Sequence, residues 1–164
     1  MRRIAPRLPL LFLATFVALI STGCATRTET VDVSVRNDAA QPVTVWLTKM
    51  GGPEQEGWRS PESIAINFVV GEEPIGGVIV PPKSTARTGK RSGKFDPESY
   101  PVLRVYRGEM KLSEMLANGK DSPNRADVVL NPGPTRLVVV DEGGKLSVLP
   151  VDSSSSMNSP GPKP

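Results

Sequence analysis

Val31-Asp32-Val33-Ser34-Val35-Arg36 alternates apolar and polar residues without a break, and Val43-Thr44-Val45-Trp46-Leu47-Thr48 does so again. A period of two belongs to a strand with one buried face, because successive side chains leave the backbone on opposite sides. Asn37-Asp38-Ala39-Ala40-Gln41-Pro42 between them is turn chemistry, so the two segments are expected to form a first antiparallel pair with Val43, Val45 and Leu47 inward. Short apolar segments follow at 78–80, 102–107, 126–130 and 135–140. The segments 136–140 and 145–151 flank Asp141-Glu142-Gly143-Gly144, whose glycines supply the positive φ a tight hairpin requires. Ser60-Pro61-Glu62 has the order of an N-cap, first-turn proline and early acid, and opens a helical turn that passes into a strand over 64–70. Leu112, Met115 and Leu116 with a closing Gly119 predict a helix of two turns. Val102, Arg104 and Tyr106 share one face of their strand, and the pattern leaves open which face is buried. Short strands, connections rich in proline and glycine and no crossover helices predict a mainly β chain. The expected architecture is an antiparallel β-sandwich, immunoglobulin-like or related, with one or two short helical turns.

The 164 residues contain no histidine and one cysteine, Cys24. Intramolecular disulfides, imidazole metal sites and histidine bases are therefore excluded, and no cofactor is expected. Arg2, Arg3 and Arg7 carry the whole net charge of +3, leaving 17 basic and 17 acidic side chains beyond Cys24. A neutral body has no broad electrostatic claim on nucleic acid. The tail, 152–164, is rich in serine and proline, cannot bury a core and is expected to be disordered.

Those three arginines precede a thirteen-residue apolar run, Leu8 to Ile20, closed by Ser21-Thr22-Gly23-Cys24. Charged, apolar and small-residue regions in that order make a secretory signal, and the run is short of the roughly 20 residues a membrane span needs. The ending resembles the lipobox of bacterial lipoproteins, with Gly23 directly before the cysteine and Ser21 where that family usually has an aliphatic residue. The resemblance covers residues 1–24 alone. It implies a signal peptide over 1–23, lipidation of Cys24, a bilayer as partner and a tether over 24–30 ahead of a sandwich domain at 31–151. Ala25, in place of an aspartate, implies the outer membrane, facing the periplasm.

Two loops are candidates for contact with an envelope protein or polymer. Met50 to Ser63 sets Glu54, Glu56 and Trp58 among glycines and prolines, where an aromatic platform beside acids would suit sugar or cation binding, or Trp58 would cover the end of the core. Lys83 to Lys94 carries Lys83, Arg87, Lys90, Arg91 and Lys94 without an acid, as either a contact for a phosphate-bearing lipid or other anionic partner or a solvated hairpin loop. Arg87-Thr88-Gly89-Lys90 is not a phosphate loop, since Ser84 stands where its first glycine belongs. Neighbouring Lys83 and Ser84 would point to opposite sides of a strand, which argues against a Ser-Lys dyad. The expectation is a binding module and not an enzyme. The alternative is a hydrolase for envelope sugar or peptide that would need at least two of Glu54, Glu56, Glu62, Glu72 and Glu73 to converge with raised pKa values.

Overall fold

The computed structural model describes residues 26–66 and 77–151. The signal segment with Cys24, the part of 64–70 beyond Ile66, both Glu72 and Glu73, and the tail from 152 lie outside the described residues. Eight strands and two short helices follow one another as β1 (Arg27–Asn37), β2 (Val43–Met50), α1 (Pro61–Ile66), β3 (Val78–Val80), β4 (Thr85–Phe95), β5 (Tyr100–Arg107), α2 (Leu112–Ala117), β6 (Arg125–Val129), β7 (Gly133–Glu142) and β8 (Lys145–Pro150). They form two four-stranded sheets, in the orders β4-β1-β7-β8 and β3-β2-β5-β6.

The sheets face each other across a core in which the alternation is fully used. Val31, Val33 and Val35 of β1 and Leu137 and Val139 of β7 meet Val43, Val45 and Leu47 of β2 and Leu103 and Val105 of β5. All pairings are antiparallel except β1 with β7, which run parallel from Val31 opposite Gly133 to Asn37 opposite Val139. The sandwich class is as expected, while its strand order differs from the immunoglobulin one, in which the first strand pairs with the second. Gly143 and Gly144, at φ 61° and 85°, form the turn between β7 and β8.

Three expectations are corrected. First, β1 and β2 are not paired but lie in opposite sheets. Asn37, fully buried, turns the chain across the sandwich: its Nδ2 donates to the carbonyls of Gln41 (2.8 Å) and Val80 (2.9 Å), and its Oδ1 accepts from the Ala39 N–H (3.0 Å). Second, the basic run at 83–94 is no loop, because most of it is β4, an edge strand paired with β1. Thr88 and Gly89 form a bulge there, the register stepping from Asp32–Lys90 to Ser34–Arg87, with Gly89 at φ 78°. Third, β1 begins at Arg27, so the expected tether over 24–30 shortens.

Strand β2 is buried from Val43 to Thr48, on both faces. Its second face is roofed by the helices, where Trp46, Tyr106 and Met115 cluster with Ile64 and Met110. Among the described residues, the buried members of both clusters fall between Val31 and Leu146.

Candidate functional site

The loop after β2 is pinned from inside. Trp58 is 2 % exposed, meets Phe95 edge to face at 5.2 Å between ring centroids, and donates its Nε1–H to the Ser92 carbonyl at 2.9 Å. Arg91 stacks over the same indole at 5.9 Å and donates to the carbonyls of Leu47 (3.2 Å) and Gly57 (2.6 Å). Burial accordingly lowers the Arg91 pKa from its ordinary value. The indole fits because residue 93 is glycine: a Cβ there would lie 2.6 Å from Trp58 Nε1. Trp58 is thus a core residue and not a platform at the lip of the loop, since its large apolar area is worth more buried than exposed. Arg91, expected as a surface contact, clamps the loop instead. Glu54 and Glu56 stay exposed on the rim, and the Gln55 side chain accepts from the Lys94 N–H at 2.9 Å.

The open face of the β4-β1-β7-β8 sheet gathers the other cations. Lys94 lies opposite Thr28, Lys90 opposite Asp32 and Arg87 opposite Ser34. On the other side of β1, Ser34 faces Arg136 and Arg36 faces Val138. Arg87, Ser34 and Arg136 therefore make one row across three strands, around a shallow concavity of about 640 Å³ lined also by Arg36, Thr85 and Val151. Two acids answer these five cations: Asp32 approaches Arg87 at 3.4 Å and Asp38 pairs with Arg36 at 2.9 Å. Lys90, Lys94 and Arg136 form no ion pair among the described residues. Lys90 and Lys94 were visible as charges in the sequence. Their alignment with Arg136 was not, because it depends on the parallel β1–β7 register.

A second polar cluster, which sequence reasoning missed, lies under α1. Arg104, 4 % exposed, points out of β5 and donates from one nitrogen to both oxygens of Glu62, each at 2.7 Å, while its other terminal nitrogen faces Met50 Sδ at 3.6 Å. Arg125 stacks over Tyr106 at 5.7 Å and makes a two-point pair with Asp127 at 2.8 and 2.7 Å. Partial burial pushes the Glu62 pKa up, but hydrogen bonds from Arg104, the Glu62 backbone and Ser60, with the charge of Arg104, outweigh it and hold the carboxyl below its ordinary value. Burial pushes the Tyr106 phenol up. Hydrogen bonding to Asp127 raises the Arg125 pKa. A carboxyl held ionised by a guanidinium cannot act as the proton donor a glycosidase needs. The arrangement ties α1 to the sheet.

Among the described residues no group of three or more acidic or cysteine side chains is placed to hold a metal ion. Comparison with protein-family models, with curated proteins and with solved structures found no match for this chain.

Proposed function

We propose that the chain is a lipid-anchored envelope protein, tethered through Cys24 at the outer membrane and facing the periplasm, whose sandwich serves as a binding module. The observation that carries the binding role is the charge segregation. Beyond Cys24 the chain is neutral, yet Lys94, Lys90, Arg87, Arg136 and Arg36 run along one open sheet face with Asp32 and Asp38 beside them, while Glu142 and Lys145, outward on the same sheet, stand opposite each other beyond the Arg36 end. A flat, cation-bearing surface suits an extended or planar anionic partner better than a small molecule enclosed in a cleft. What supports the anchor is the charged, apolar and small-residue order of residues 1–24 together with the solitary cysteine.

Cys24→Ala should move the protein from the membrane to the soluble fraction; a variant that stays membrane-bound without lipid on it contradicts the anchor. For the binding role, a photo-cross-linker at Ser92 should capture an envelope component that is lost on joint Arg87→Glu and Lys90→Glu reversal. Capture unaffected by the reversal would remove this face as the contact.

A further inference from the structure

We infer that the open face of the first sheet docks on the anionic phospholipid surface of the bilayer that holds the anchor, so that the domain lies flat against the membrane. The inference rests on the anchored-module reading and names the partner of its contact face. Its geometry comes from β1. This strand is central in the cationic sheet, and its first residue, Arg27, is only three positions beyond Cys24. Three residues of extended chain reach about 10 Å, so one end of the sheet is held near the acyl chains of the anchor. That end carries Lys94, opposite Thr28.

From there the cations run along the sheet: Lys90 beside Asp32, Arg87 and Arg136 on either side of Ser34, then Arg36. At about 3.3 Å per residue the strip from Thr28 to Arg36 extends about 26 Å. A plane of phosphates is complementary to such a strip, since headgroups are mobile and place a charge wherever a guanidinium or ammonium lies. Thr30 and Ser92, whose hydroxyls bond each other at 2.7 Å, and Ser34 between the arginines keep the strip low, leaving the longer cationic chains to reach outward. The exposed Leu149 and Val151 on the same sheet add apolar contact at the headgroup level.

The test uses residues 25–164, which contain both cores and lack the anchor, mixed with vesicles of phosphatidylcholine alone or with phosphatidylglycerol and sedimented. Binding is expected only to the phosphatidylglycerol vesicles, lost on raising salt. Each of Arg87→Gln, Lys90→Gln and Arg136→Gln should weaken it by about fivefold, the effect of removing one basic residue near an anionic surface. Lys120→Gln, away from this sheet, should leave binding unchanged, and unaltered thermal melting would show that the variants fold. Equal binding to both vesicle types, binding to neither, or an equal loss with Lys120→Gln overturns the inference. Retention of inorganic polyphosphate under conditions where vesicles stay unbound also overturns it and assigns the face to a polymer. The measurement needs no lipidated Cys24, so its failure is distinguishable from failure of the anchor.

Discussion

Gly93 sets the position of Trp58. The indole lies where a side chain at residue 93 would stand, 2.6 Å from its Nε1 and 3.0 Å from the edge of Phe95. Gly93→Ala should therefore cost about 1–3 kcal/mol, the usual range for overpacking a filled core, and should shift tryptophan fluorescence as the ring moves. The cost should shrink sharply when Trp58→Leu is already present, because the two positions are in contact and their effects cannot add. A full additive loss in a double-mutant cycle from urea unfolding would contradict this account. Such a glycine could not be singled out from sequence. It sits in a strand of basic and small residues, and its role depends on a ring arriving from thirty-five positions upstream.

Among the elements, α1 is held by the ion pairs of Glu62 with Arg104 at 2.7 Å and Arg125 at 3.9 Å and by a little packing. Glu62→Ala leaves Arg104 buried without its carboxylate and should cost about 2 kcal/mol, below the full value for a buried pair because Glu62 is half exposed and water screens it. Arg104→Met should cost less, since Met suits the ground beside Trp46, opposite it on β2, and Met50, while Glu62 keeps its approach to Arg125. Thermal melts in the reverse order would refute the asymmetry. Because the folded pKa of Glu62 lies below the ordinary 4.5, its contribution is present above that value and fades as the pH falls through the folded pKa. Glu62→Gln should flatten this acid limb of stability. Strands β1 and β2 were legible because their alternation is local and unbroken, and β7 and β8 because Gly143 and Gly144 mark a hairpin between two apolar segments. Strand β4 was not: its outward residues are cations and hydroxyl side chains, and its inward ones include Ala86, Arg91 and Gly93. Arg104 was readable as sharing a face with Tyr106, but that face is buried only because two short helices fold over it, which no pattern within β5 announces.

At the scale of the whole molecule, the sheets are joined by polar ties as well as by the core. Arg107 of β5 pairs with Asp141 of β7 and donates to the Gly144 carbonyl at 2.9 Å, closing one end of the sandwich. This pair holds the Asp141 carboxyl below its ordinary range. With both clusters sharing β2 and β5, residues 25–164 should unfold in a single transition by circular dichroism and tryptophan fluorescence alike. Separate midpoints would mean that the helical roof melts independently. The neighbour of β1 on its inner side is β7, about a hundred residues later in the chain. A strand that waits so long for its partner makes folding slow, on the millisecond-to-second scale of high contact order. The β4-β1-β7-β8 sheet cannot close until β7 is free to join it, so during synthesis β1 waits with one side unpaired while the other sheet, whose strands all precede residue 130, is already able to form.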